Sequence, residues 1–159
     1  MQIKNYIKAV EDSPVYKEWI EKNPGYYLVH VFYMTGQDPH VGYYSSDSDE
    51  VVTFTIGDEI AKSSPEESFK ECGIIEKLDK EKVGFDLDVA MEEANKLREE
   101  KDPSEAVDSD MLILQTLEGE PLYNITLITK SFNFINIRIR ATDKKILDYK
   151  KNSILDLKE

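Results

Sequence analysis

Hydrophobic and polar positions alternate most regularly near the C-terminal end of the chain, in "PLYNITLITKSFNFINIRIRATDKKIL". Side chains two residues apart on a strand point to the same side, so this period predicts two strands and the start of a third. We expect the isoleucines to pack on the core and the arginines of the same strand to face outward. The positions concerned are Ile135, Ile137 and Ile139 on one face and Arg138 and Arg140 on the other.

Helical spacing of apolar residues marks three further segments. Residues 1–22 are predicted to be helical, with a break at Ser13, which suits an N-cap followed by a proline in the first turn. Residues 86–100, "DLDVAMEEANKLREE", form the clearest helix, because their apolar residues lie on one stripe and Asp86 suits the N-cap. A short helix is predicted to start at residues 64–67, where two glutamates would favour the helix dipole.

The remaining patterned segments predict strands. Residues 26–34 are aromatic and β-branched and apolar on both faces, which suits a central strand. Residues 41–56 are typical of a hairpin, and a further strand is predicted at residues 111–117. Runs of consecutive strands joined by short turns favour an antiparallel sheet with helices packed on one face, so the predicted fold class is α+β.

The order helix, strand, hairpin occurs twice along the chain. We expect one compact domain over residues 1–159, with two pseudo-repeats over residues 1–75 and 76–159 as an interpretation of this order. Sequence identity between the halves is too low to prove a duplication.

The strand pair quoted above, with the helix "DLDVAMEEANKL" before it, resembles a PepSY-type module. In that family, an amphipathic helix precedes Val/Ile-rich strands and an Asp-Ala-x-Thr-Gly-x-Val-Leu ending. The segment "GYYSSDSDEVVTF" would be the hairpin of a first, degenerate copy. The ending departs from the family at Arg140, Asp143 and Lys144, where the family has Asp, Thr and Gly. Since Lys144 adopts a left-handed conformation only with strain, a different turn is expected there.

The resemblance implies a cystatin-like, duplicated α+β fold without a catalytic motif. It also implies an extracytoplasmic role in binding or inhibiting peptidases.

Charge and composition narrow the partners and the location. With 32 acidic and 20 basic residues the net charge is −12, so the surface repels phosphate backbones and nucleic acid is not an expected partner. No segment approaches the roughly 20 apolar residues of a membrane span, so no membrane association is expected. Since the N-terminus shows no apolar leader, a cytoplasmic protein is expected; an exported protein without its leader would look the same.

Few residues suggest catalysis. His30 is placed on the face of Leu28 and Phe32 and is predicted to be a core or edge histidine. His40 is predicted to be solvated in a turn. Neither has convergent partners at metal-ligand spacing, so no metal and no cofactor are expected. The single cysteine, Cys72, matches no catalytic signature, and no phosphate loop or hydrolase motif occurs. We therefore expect no enzymatic activity.

Two groups of residues are candidates for binding. Arg138 and Arg140 either pair with acidic residues across the strands, worth about 0.2–1 kcal/mol per pair, or contact an anion or carboxylate through bidentate hydrogen bonds. The tyrosines either pack on the sheet or form an exposed patch for a partner. The candidate binding residues are therefore Tyr27, Tyr43, Tyr44, Arg138 and Arg140.

These patterns favour a non-catalytic binding or protein-interaction module of PepSY-like type, which takes a peptide or regulates a peptidase. An exposed sheet edge can also accept a strand from a peptide or from a second copy of the chain, giving a homodimer. The alternative is a carrier of a small apolar ligand. Its pocket would lie between a helix and the curved sheet, lined by Tyr27, Val29, Leu114 and Ile137.

Overall fold

The computed structural model describes residues 1–67 and 75–154. Three α-helices occur in these residues: α1 (Gln2–Glu11), α2 (Pro14–Lys22) and α3 (Leu87–Lys101), with a short 3₁₀ helix at Lys80–Lys82. The strands, in chain order, are β1 (Tyr27–Met34), β2 (His40–Ser45), β3 (Glu50–Ile56), β4 (Ile60–Lys62), β5 (Glu66–Glu67), β6 (Val107–Leu117), β7 (Glu120–Thr129), β8 (Asn133–Arg140) and β9 (Ile146–Ser153).

All nine strands belong to one antiparallel sheet, in the order β4-β3-β2-β1-β6-β7-β8-β9, with β5 paired to β3. The first strands after α2 and α3, β1 and β6, lie side by side in the middle. Each later strand is added outward from that centre, so the sheet ends at β4 on one side and β9 on the other. The predicted α+β class with an antiparallel sheet is confirmed.

The core lies between the helices and one face of the sheet. Ile135, Ile137 and Ile139 have no exposed surface and belong to this core, so the predicted direction of the isoleucine face is confirmed. Beneath α2, an aromatic cluster has ring centroids 5.2–5.9 Å apart, a spacing at which edge-on rings attract. Its members are Tyr16, Trp19, Tyr43 and Phe54.

The helix starts follow the predicted caps. The backbone N–H of Tyr16 donates to Ser13 Oγ at 3.3 Å, which starts α2 after the predicted break. Asp86 caps α3 by accepting from the N–H of Leu87. The same carboxylate also accepts from the N–H groups of Gln2 and Ile3, at 2.6 Å and 3.0 Å. One side chain therefore caps α1 and α3, which ties the first residues to the second half of the chain.

The predicted helix start at residues 64–67 is wrong. Glu66 and Glu67 form β5, in register with Val51 and Glu50 of β3. Hydrogen bonding to an available strand edge outweighs the local preference for a helix, which is weak over so few residues. The rest of that predicted helix, with Cys72, lies outside the described residues.

The prediction that His30 shares a face with Phe32 is confirmed, but the prediction that it also shares a face with Leu28 is wrong, because a β-bulge in β1 separates the two. Leu28 is in register with Tyr43, but His30 is in register with Gly42, so Val29 is an extra residue in β1. Leu28 therefore contributes to the core, whereas His30 lies on the opposite face with Phe32.

Two local expectations are also wrong. His40 is the first residue of β2 and is half-buried, with its ring centroid 5.6 Å from that of Phe32, rather than solvated in a turn. Lys144 has a φ of 69°, the left-handed conformation that the family glycine would supply, so the expected change of turn does not occur. No helix within residues 1–67 and 75–154 combines the length and apolar character needed to cross a membrane.

Candidate functional site

The candidate binding surface is the sheet face opposite the helices, which we call the uncovered face. The described helices all contribute to the core on the other side. Because side chains alternate along each strand, the uncovered face carries part-exposed aromatic, aliphatic and polar groups. Its central residues are His30, Phe32 and Met34 of β1, His40 of β2, Met111, Ile113 and Gln115 of β6, Asn124 and Thr126 of β7, and Asn136 and Arg138 of β8.

One row of register partners crosses this face. Each residue of the row is the cross-strand partner of the next, and neighbouring strands lie about 4.8 Å apart, so the row spans about 19 Å. The row is His40, Phe32, Ile113, Asn124 and Arg138. It therefore presents an apolar middle between polar ends.

A hollow of about 410 Å³ lies at one end of this row, lined by His30, Phe32, His40, Thr53, Ile113 and Gln115. Burial lowers the pKa of His30 to about 4, with a further contribution from His40. The imidazole of His30 is therefore neutral at neutral pH, where it can both donate and accept a hydrogen bond.

The structure gives the two predicted arginines different surroundings. Arg140 makes a bidentate contact with Asp143, at 2.9 Å from Nε and 2.8 Å from Nη2, and reaches Glu120 at 3.4 Å. The hydrogen bond from Arg140 lowers the pKa of Asp143 to about 2, helped by the N–H of Lys145. Of the two alternatives for the arginines, Arg140 therefore takes the pairing with acidic residues.

Arg138 has no comparable pairing with any of the described residues. Its Nε is buried and, within the part of the chain that the structure describes, has no hydrogen-bond partner. The acidic residue opposite it on β9, Asp148, instead pairs with Lys150 at 3.4 Å. A buried donor without an acceptor is uncommon and carries a free-energy cost, so this atom is the least satisfied polar group of the uncovered face.

A second candidate lies on the helix side of the sheet, in a groove of about 530 Å³ that we call the tyrosine groove. The hydroxyl of Tyr43 donates to Glu11 at 3.0 Å, and burial raises the pKa of Tyr43, with further contributions from Glu11 and Tyr16. The phenol of Tyr43 therefore remains a protonated donor. The lining includes Tyr16, Tyr26, Tyr27, Leu28, Tyr43 and Leu78.

The predicted tyrosine patch is only partly exposed. Tyr43 and Tyr44 are each 1% exposed, so of the two alternatives for the tyrosines these two residues take packing on the sheet. The ring of Tyr43 packs against Tyr16 of α2, and the ring of Tyr44, on the other side of β2, packs against Tyr27. Tyr27 remains part-exposed and lines the tyrosine groove, with its hydroxyl bonded to the backbone oxygen of Ile75 at 2.7 Å.

Sequence reasoning missed most of the uncovered face. The signal was present in β7 and β8, where Asn124, Thr126 and Asn136 take the places that a doubly covered strand would fill with aliphatic residues. It was absent in β1, where both faces are apolar. Within the described ranges no group of three or more His, Cys, Asp or Glu side chains is placed to hold a metal ion.

Comparisons with known proteins concern the fold alone. No protein-family model matches the chain, and no curated protein matches it in sequence. Among solved structures, the chain is similar to a protein of Clostridium difficile 630 described as a "putative lipoprotein". The two are 15% identical, with a TM-score of 0.58, over 87% of this chain and 90% of that chain.

Proposed function

We propose that this protein is a non-catalytic binding module that holds a peptide segment of a partner protein on the uncovered face. The observation that carries this proposal is a row of part-exposed groups, apolar in the middle and polar at its ends, on a sheet face without a described helix. Surfaces of this composition are typical of the centre of recognition sites, where aromatic and aliphatic groups anchor a partner.

The dimensions favour a peptide over a whole protein surface. The row from His40 to Arg138 spans about 19 Å, and an extended peptide rises about 3.3 Å per residue, so about six residues would cover it. A short peptide segment therefore matches the length of the central row.

A non-catalytic role is supported by the surroundings of the histidines. The hollow that contains His30 and His40 is lined otherwise by Phe32, Thr53, Ile113 and Gln115. None of these is a carboxylate that would orient a histidine for proton transfer, within the described residues. The pKa of His30, at about 4, is also far from the range of an efficient base at neutral pH.

We also propose a duplicated PepSY-type arrangement for the chain. Two features support it: the outward order of strands from β1 and β6, each preceded by a helix, and the left-handed conformation of Lys144 at the position of the family glycine. The role that the family would bring, binding or inhibition of peptidases, is compatible with a peptide-sized site.

The proposal is tested by selecting a phage library of random dodecapeptides on the immobilised protein. We expect peptides whose recovery is lost in Phe32→Ser but kept in Phe132→Ser. The two variants remove the same side chain, from the middle of the uncovered face in one case and from a turn where it is 65% exposed in the other. Equal recovery on both variants would contradict the proposal.

The tyrosine groove supports a second candidate function, the carriage of a small ligand between helices and sheet. Leu114 and Ile137, predicted to line such a pocket, are fully buried in the core, so the ligand would lie further along β1, beside Tyr27. A thermal-shift screen with aromatic and apolar metabolites tests it. Stabilisation that is lost in Tyr27→Ala but kept in Phe32→Ser would favour this second function.

Location and self-association remain predictions. The cytoplasm is the expectation from the sequence, whereas the description of the structural neighbour as a "putative lipoprotein" favours export. Fractionation of host cells that express the full-length protein separates the two. A homodimer would form through β9, an edge strand of eight residues, since β4 has only three. Light scattering during size-exclusion chromatography measures the mass.

A further inference from the structure

We infer that Arg138 is the anchor for a carboxylate side chain of the bound peptide. This inference rests on the proposed function and names the chemistry that the uncovered face selects. Its first support is the Nε of Arg138, a buried donor without an acceptor among the described residues, so the guanidinium gains a hydrogen bond if the side chain turns outward to meet an acceptor from a ligand. A carboxylate fits best, because its two oxygens match the parallel N–H groups of a guanidinium.

The neighbouring amides make the same end of the row rich in donors. Asn136 Nδ2 donates to the backbone oxygen of Ile125 at 3.3 Å and to Asn124 Oδ1 at 2.6 Å. A carbonyl oxygen only accepts, so the contact with Ile125 identifies the Asn136 atom as nitrogen and the Asn124 atom as oxygen. The acceptor of Asn124 is thus engaged, whereas no acceptor among the described residues meets its Nδ2. A ligand here finds donors from Asn124 and Arg138 together.

The acidic neighbour does not fill this role. Asp148 stands opposite Arg138 in the sheet register, yet its carboxylate contacts Lys150 Nζ and the N–H of Tyr149. Lys150 therefore holds Asp148, and Arg138, Lys150 and Asp148 together leave one net positive charge at this end of the face. Since the whole chain has a net charge of −12, this is a local departure from an acidic background.

The apolar part of the row determines where the peptide should carry an apolar side chain. Ile113 lies two strands from Arg138, about 10 Å away, which corresponds to about three residues of an extended peptide. The preferred segment therefore carries an apolar side chain against Phe32 and Ile113, and an aspartate or glutamate about three or four residues along.

The library selection provides the test, because the displayed peptides are joined to the phage at their C-termini and supply carboxylates only from side chains. Among peptides whose recovery depends on Phe32, we expect aspartate and glutamate at least twofold above the unselected library. This enrichment should disappear in Arg138→Gln and persist in Arg140→Gln. Arg140 is the matched control, because Asp143 and Glu120 already occupy its guanidinium.

A direct measurement follows from one selected peptide made with its acidic residue and with the corresponding amide. The amide form should bind the native protein about tenfold more weakly, and both forms should bind Arg138→Gln alike. Arg138→Lys keeps the positive charge but loses the paired N–H donors of the guanidinium, so the acidic and amide peptides should differ in affinity by an intermediate factor. This variant replaces Arg138→Gln in the test if Arg138→Gln unfolds. Circular dichroism checks the fold of each variant.

The outcomes separate this inference from the proposed function. Phe32-dependent peptides without acidic enrichment, or with enrichment that survives Arg138→Gln, would overturn the role of Arg138 and leave the binding function standing. An absence of Phe32-dependent peptides would overturn both.

Discussion

The imidazole of His30 occupies the space that a side chain on Gly42 would need. The two residues are register partners on β1 and β2, and a Cβ on Gly42 would lie 2.2 Å from Cε1 and 2.4 Å from Nε2 of His30. The absence of a side chain on Gly42 allows the ring to lie against the sheet. The shape of the hollow on the uncovered face therefore depends on this contact.

We expect Gly42→Ala to destabilise the protein by about 1–3 kcal/mol, because the new methyl group forces the ring or the strand to move. Urea unfolding measures the loss. In the His30→Ala background the ring is absent, so the same substitution should cost much less, and the double-mutant cycle should show a coupling between the two positions. Equal losses in both backgrounds would show that the strand itself resists the methyl group.

Burial of His30 predicts a loss of stability in mild acid. Its pKa is about 4 in the folded protein against 6.5 for the ordinary group, so the unfolded chain binds the proton more readily. Stability therefore falls as the pH drops below 6.5, and the loss from this group is complete below pH 4. Between pH 7.5 and pH 5 the expected contribution is about 2 kcal/mol.

The variant His30→Gln isolates this contribution from the other titrating groups. Urea unfolding of the native protein and the variant at several pH values should give curves that diverge below pH 6.5, with the variant losing less. His40→Gln is the comparison variant and should keep most of the divergence, because burial is the larger cause of the lowered pKa of His30 and His40 the smaller one. Parallel curves for the native protein and His30→Gln would contradict the assignment.

The sheet could be predicted from the sequence because its signals are local and periodic. Isoleucine at every second position of β8 specifies which side of the strand is buried. A register shift of one residue would expose Ile135, Ile137 and Ile139 together. The caps at Ser13 and Asp86 are equally local, since each bonds the first turn of the helix that follows it.

The site could not be predicted in the same way, because its geometry depends on pairing between distant segments. The bulge at Val29 moves His30 to the uncovered face, and no residue type in β1 marks it. Arg138 and Arg140 have the same period and the same face. The turn after β8 brings Asp143 to Arg140, whereas the Nε of Arg138 meets no acceptor in the part of the chain that the structure describes.

Glu105 joins the end of α3 to the β7–β8 hairpin, and its removal should loosen that connection. Hydrogen bonds from Thr129, Ser131 and Asn133 lower its pKa to about 2, from an ordinary 4.5. Its stabilisation is thus present above pH 4.5 and is lost as the pH falls towards 2. Glu105→Gln should lower the Tm at pH 7 and show a smaller further loss between pH 4.5 and 2.

Thermal unfolding followed by circular dichroism measures both effects of Glu105→Gln. The exposed Glu100, in the last turn of α3, supplies the control substitution Glu100→Gln, which should leave the Tm nearly unchanged. If the two variants behaved alike, the hydrogen bonds to Glu105 would contribute nothing measurable.

Because the carboxylate of Asp86 also accepts hydrogen bonds from the start of α1, a substitution of Asp86 should weaken that helix start. Asp86 and Ile3 are 83 residues apart in sequence. Asp86→Ala should destabilise the protein by about 1–2 kcal/mol, the usual cost of losing a helix cap. It should also speed amide hydrogen exchange at Gln2 and Ile3, whose N–H groups lose their acceptor. Asp88→Ala, two residues further along the chain, removes a carboxylate without those contacts and should leave exchange in α1 unchanged.

The left-handed conformation of Lys144 predicts that a smaller residue will stabilise the protein. At a φ of 69° a side chain is strained, and glycine relieves about 1 kcal/mol of that strain. Against this, Lys144 Nζ lies 5.8 Å from the ring centroid of Phe85, a contact worth about 0.5 kcal/mol at an exposed site. Lys144→Gly should therefore gain about 0.5 kcal/mol in urea unfolding. Lys144→Met, which loses the cation and keeps the strain, should lose a similar amount. If Lys144→Gly were no more stable than Lys144→Met, the turn would carry no strain for glycine to relieve.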